Sequence, residues 1–196
     1  LETACRNRVF VACRNLSFLV LRGVVPGGYR RAATLYSEGC DGGDGASCAG
    51  LGLLYVRGQG VPRDEELSAD LLKRGCDLGS PSSCGYLGYA FEKGIGLAVD
   101  IARAGGLYST ACESGIMSAC ANLGVLYVDG RGLPRDVSQG LGLYEKACHG
   151  GAGTGCINLG VAYAQGEIIS RDKARAEDLF ARACELGAGQ GCTLLG

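Results

Sequence analysis

The stretch "CANLGVLYVDGRGLPRDVSQGLGLYEKAC", Cys120 to Cys148, is one clear instance of a pattern that fills the whole chain. Cysteines occur at 5, 13, 40, 48, 76, 84, 112, 120, 148, 156, 184 and 192. Within each pair the spacing is eight, and successive pairs begin 36 residues apart, except the first interval of 35. Other residues keep step. Four after the second Cys of a pair comes Gly52, Gly88, Gly124, Gly160 and Gly196, and seven after it Tyr55, Phe91, Tyr127 and Tyr163. Ten after it comes Gly23, Gly58, Gly94, Gly130 and Gly166, and sixteen after it Asp64, Asp100, Asp136 and Asp172. Leu71, Leu107, Leu143 and Leu179 complete the series. A period of this length marks a repeat architecture.

Each period reads as two helices. In "SCAGLGLLYVRG", Leu51, Leu54 and Tyr55 with Cys48 make the three-and-four stripe of an amphipathic helix, helix A. Gly58 supplies a left-handed stop, and "GQGVPRD" turns the chain. Asp64 caps helix B, "DEELSADLLKRGC", with Leu67, Leu71 and Leu72 expected inward. A glycine four residues into helix A lowers helix propensity, so it points to close helix–helix approach.

This pattern, "CxxLGxLYxxGxGVPxD…ACxxG", resembles the Sel1-like repeat, a relative of the tetratricopeptide repeat. With a cysteine pair in every repeat, the chain is similar to the cysteine-rich, Hcp-type bacterial Sel1 proteins. The resemblance is weaker between Cys13 and Gly39, where Ser17 replaces the glycine and Val20 the tyrosine. Ala98 stands where Pro62 and Pro134 sit, and Ile168 replaces a loop glycine. The fold implied is all-α: a right-handed α/α superhelical solenoid of about five helix-turn-helix repeats, one domain over 1–196. The chain begins within a helix B and stops inside a helix A, which reads as part of a longer protein.

Three chemistries compete for the cysteines. Zinc sites favour closer spacing and ligands in fours, and His149 is the single histidine. Redox pairs are typically C-x2-C, and none occurs. Structural disulfides remain. Residues eight apart on one helix would lie about 12 Å apart, beyond the roughly 7 Å that a bridge spans. The Gly- and Pro-containing segments between partners, such as "DGGDGAS" and "DLGSPSS", must therefore turn. The expected bridges are Cys5–Cys13, Cys40–Cys48, Cys76–Cys84, Cys112–Cys120, Cys148–Cys156 and Cys184–Cys192, each clipping one helix B to the next helix A. They imply a secreted or periplasmic, oxidising location.

With 19 basic and 20 acidic residues, the chain shows no basic excess for nucleic acid. Val9 to Val25 is broken by Arg14 and Arg22 and is no membrane span. Ser170-Arg171-Asp172-Lys173 matches the S-x-x-K nucleophile motif, and Hcp-type relatives are associated with penicillin binding and weak β-lactamase activity. No S-D-N or K-T-G accompanies it, and Asp172 aligns with the cap aspartates, so a helix start is the reading adopted. Glu65 and Glu66 read as first-turn dipole partners. The loop glycines lack the phosphate-loop Lys-Ser/Thr. No cofactor or metal is expected.

The remaining candidate is the inner face, which the tetratricopeptide resemblance places on helix A. Positions one, two, five and nine after the second Cys are expected to point away from helix B. They include Arg57; Tyr86, Tyr89 and Lys93; Asn122 and Asp129; Asn158 and Gln165. An Asn amide both donates to and accepts from a peptide backbone. The expectation is a monomeric interaction module that binds a protein or extended peptide. A weak penicillin-interacting enzyme and an assembly factor in another oxidising space are the alternatives.

Overall fold

The structure, a computed structural model, describes residues 1–195. These form twelve helices and no strand: α1 (Glu2–Arg6), α2 (Phe10–Leu21), α3 (Gly28–Asp41), α4 (Gly45–Arg57), α5 (Glu65–Asp77), α6 (Pro81–Lys93), α7 (Ile101–Glu113), α8 (Met117–Asp129), α9 (Val137–His149), α10 (Gly153–Gln165), α11 (Lys173–Glu185) and α12 (Gly189–Leu195). Even-numbered helices are the A helices and odd-numbered ones the B helices. The chain divides into two compact units, Leu1–Leu107 and from Tyr108 onward, with the boundary inside α7.

Within the first unit α2 packs on α3 and α4 on α5, while α2, α4 and α6 lie side by side. In the second, α8 packs on α9 and α10 on α11, with α8 beside α10 and α10 beside α12. Each unit is thus a run of α/α solenoid. The hairpins start and stop where the period places its caps. Asp64, Asp136 and Asp172 accept from the amides of Leu67, Gln139 and Arg175, and Asp100 accepts from the Arg103 amide at 3.0 Å. Gly58, Gly94, Gly130 and Gly166 end the A helices in the left-handed conformation. Asp44 and Ser80 cap α4 and α6, a role outside the repeating signal.

All six eight-residue bridges form, with Cα separations of 4.5 to 4.8 Å. Each joins the end of a B helix to the start of the next A helix. The sulfurs are themselves core: Cys13, Cys48, Cys120 and Cys156 are fully enclosed.

The helix A glycines are close-approach sites. A Cβ at Gly124 would lie 2.7 Å from the Tyr144 ring and 2.9 Å from the Gly140 carbonyl oxygen. At Gly160 it would lie 2.6 Å from the Phe180 ring. Ser17, standing at this position in the first repeat, turns its hydroxyl back to donate to the Cys13 carbonyl at 2.9 Å.

Leu67 departs from the inward expectation: it is exposed. Helix α5 instead buries Ser68, Ala69, Leu71, Leu72 and Gly75. The buried stripe therefore starts at Ser68, small enough to face Gly52 closely, while Leu67 looks outward from the first turn.

Candidate functional site

Helix A presents the same register in each repeat, because the bridge and caps fix where it begins and ends. In the first unit that register carries Arg57 on α4 and Tyr86, Tyr89 and Lys93 on α6, all exposed. Tyr86 and Tyr89 keep 43% and 44% of their surface in solvent, far more than packing aromatics do. The Lys93 ammonium stands 5.7 Å over the Tyr89 ring, and it also lies 2.8 Å from Glu92. Position one was expected to face away from helix B with the others, and it does not. Ala49, Ala121 and Ile157 are buried, since the residue next to the bridged cysteine is covered by packing.

Three residues of the first repeat were not assigned a place on the helix A register from the sequence, although Arg14 and Arg22 were noted as breaks in an apolar stretch. Arg14, Phe18 and Arg22 occupy positions one, five and nine of the divergent first repeat, where Ser17 and Val20 obscure the register. Phe18 is exposed, and the Arg22 guanidinium lies 5.6 Å over its ring. Arg14 pairs with Asp44 at 3.0 Å. Tyr36 on α3 also belongs here: its ring covers Gly50, where a Cβ would come within 2.7 Å of it. Burial pushes the Tyr36 phenol up; the Arg14 cation opposes this and Tyr86 adds to it.

In the second unit Asn122 and Asn158, at equivalent positions, are half-buried, and Asp129 and Gln165 are exposed at the ends of α8 and α10. Burial raises the Tyr144 phenol to about 12, with the Asp129 carboxylate adding to the rise. Asp129 and Tyr144 are therefore electrostatic neighbours.

The repeated Tyr55 and Phe91 pack against core clusters. Tyr163 does more. It lines a cleft of about 210 Å³ between α9, α10 and α11, where Glu145 and Asp178 face His149, Arg175 and Arg182. Arg175 donates to the Tyr163 hydroxyl at 3.1 Å and pairs with Asp172 at 3.3 Å. Ser170 and Lys173 flank the capping Asp172 at the exposed start of α11, as their alignment implied. Cys5, Cys13 and Glu38 are the one metal-sized group among the described residues, and the two sulfurs are joined to each other, leaving no thiolate to ligate.

The Sel1 repeat model matches residues 11–44, 45–80, 81–116, 118–151 and 154–187. The chain belongs to the Sel1 repeat family. Sel1 repeat proteins typically act as protein-interaction scaffolds. The chain is similar to a protective antigen of uropathogenic Escherichia coli strains that displays an SLR fold, at 26% identity and a TM-score of 0.78. That match covers 99% of this chain and 42% of the antigen, so this Sel1 chain spans less than half the antigen's length. It is similar to a Sel1 repeat protein of Oxalobacter formigenes at 25% identity and a TM-score of 0.81, over 93% of this chain and 75% of that one. The fold is shared with cysteine rich protein B of Helicobacter pylori at 24% identity and a TM-score of 0.52, over 67% of this chain and 98% of that one. A comparison with curated proteins finds no match. No described helix of this Sel1 chain is long and apolar enough to cross a membrane.

Proposed function

We propose that this Sel1 chain is an interaction module that docks a protein or extended peptide on its helix A face, in an oxidising, non-cytoplasmic compartment. One observation carries the reading: Tyr86 and Tyr89 stand exposed, one turn apart, on a helix locked by a disulfide. Tyrosines held this way supply contact area with little entropy left to lose, the property of binding hot spots. In the first unit Arg57 and Lys93 are the polar groups that orient a bound backbone; in the second, taken by itself, Asn122, Asp129, Asn158 and Gln165 hold the equivalent register. Six bridges and no free cysteine among the described residues support the choice of compartment.

The test is selection of peptides from a displayed random library on the intact, oxidised protein. Selected peptides should lose at least tenfold in affinity for the Tyr86→Ala/Tyr89→Ala variant, about 1.4 kcal/mol or more, with its melting temperature unchanged. Peptides that bind this variant as well as the parent would remove the helix A face from consideration.

A further inference from the structure

One register of the first unit's A helices carries charge of a single sign. At positions one, two, five and nine, α2 and its cap carry Arg14, Asn15, Phe18 and Arg22; α4 carries Arg57; α6 carries Tyr86, Tyr89 and Lys93. No carboxylate occurs at any of these positions, whereas α3 and α5 mix both signs, with Glu38, Asp41, Glu65, Glu66, Asp70 and Asp77 beside Arg30, Arg31, Lys73 and Arg74. A chain with a net charge of -1 thus shows a wholly cationic register on one face. Arg14 already has Asp44 as its partner, and Lys93 lies 2.8 Å from Glu92, a neighbouring carboxylate that an incoming acid would have to displace. Arg22 and Arg57 make no ion pair with any described residue, and two of the three position-nine cations stand over an exposed aromatic ring.

Complementing the helix dipole accounts for a cation at each A-helix end. It does not require exposed rings beneath the cations, and Asp129 at the same register in α8 shows that the dipole does not dictate this position. We infer that Arg22, Arg57 and Lys93 form a ladder for an extended acidic segment of another protein, with a carboxylate at about every third residue. The spacing follows from the packing. Neighbouring helices lie about 8–10 Å apart, and an extended chain of polyproline II type advances about 3.1 Å per residue with three residues per turn, so that every third side chain faces the same way. One acid per A helix therefore recurs about every three residues, with the intervening side chains set against Phe18, Tyr86 and Tyr89. This rests on the helix A docking reading and adds the partner's charge and spacing. A polynucleotide fits less well, because sparse cations on a chain of net negative charge attract a dense polyanion weakly.

The experiment is fluorescence anisotropy on the full oxidised chain with three labelled nonapeptides: Glu at every third position, the same composition with the Glu residues adjacent, and Gln replacing Glu. The spaced peptide should bind at least tenfold tighter than the other two and weaken as salt rises. Arg57→Glu should reduce its binding at least tenfold, while Lys73→Glu on α5 leaves it unchanged. If the Gln peptide binds as tightly as the spaced one and both are lost in Tyr86→Ala/Tyr89→Ala, docking on helix A stands and the acidic partner falls. If no peptide binds, or binding ignores both variants, both readings fall. Tighter binding of an oligothymidine than of the spaced peptide overturns the protein partner.

Discussion

Gly124 and Gly142 are both helical glycines, and their surroundings give opposite consequences for the same substitution. At Gly124 an added methyl would meet the Tyr144 ring and the Gly140 carbonyl. Gly124→Ala should therefore destabilise by about 1–3 kcal/mol through overpacking. At Gly142 a Cβ meets nothing within 4 Å, so Gly142→Ala should stabilise by about 0.5–1 kcal/mol by limiting the unfolded chain. Chemical denaturation of the two variants checks both signs. Tyr144 offers a titration with a known direction. Its folded phenol is raised to about 12, above an unfolded value of about 10. Its contribution is fully present below about pH 10 and is lost as pH climbs toward 12. In rapid absorbance titration near 295 nm, the difference between the parent and Tyr144→Phe should show a midpoint near 12. A midpoint at the ordinary tyrosine value would mean that the ring is not held in its buried position.

The elements were legible wherever the period repeated a residue with one physical task. Cysteines, cap aspartates and αL glycines each do one thing, so their recurrence placed helix ends and bridges. The interior of α5 was less legible. Ser68 and Gly75 are buried contact residues, yet neither is apolar, and close packing that selects small side chains leaves no hydrophobic signal. Leu67 was drawn inward for the converse reason. The register of α2 was hidden by Ser17 and Val20, which is why Phe18 and Arg22 emerged only in three dimensions. The bridge is the dominant local restraint at each helix junction. Replacing Cys148 and Cys156 together by Ser should cost about 2.5 kcal/mol, from the chain entropy of a short loop. Losing the Asp172 cap through Asp172→Ala should cost about 1 kcal/mol. Equal losses in denaturant melts would contradict this ranking.

For the molecule as a whole, the charge balance argued against a nucleic-acid partner, Arg14 and Arg22 argued against a span at Val9 to Val25, and the repeat predicted the family and its all-helical fold. It left the binding face as a register of positions, because exposure and ring stacking depend on how each helix is covered. The net charge of -1 also masked the cation-only register at positions one, two, five and nine of the first unit's A helices, beside B helices that carry both signs. The account centres on docking at helix A, and photo-crosslinking tests that most directly. A library-selected peptide carrying a benzophenone is irradiated on the intact oxidised chain, and the adducts are mapped by mass spectrometry. Adducts on A-helix residues of the first unit such as Arg57, Tyr86 and Tyr89 are the expected result. Adducts confined to B-helix positions or to the cleft around His149 and Arg182 would contradict the account.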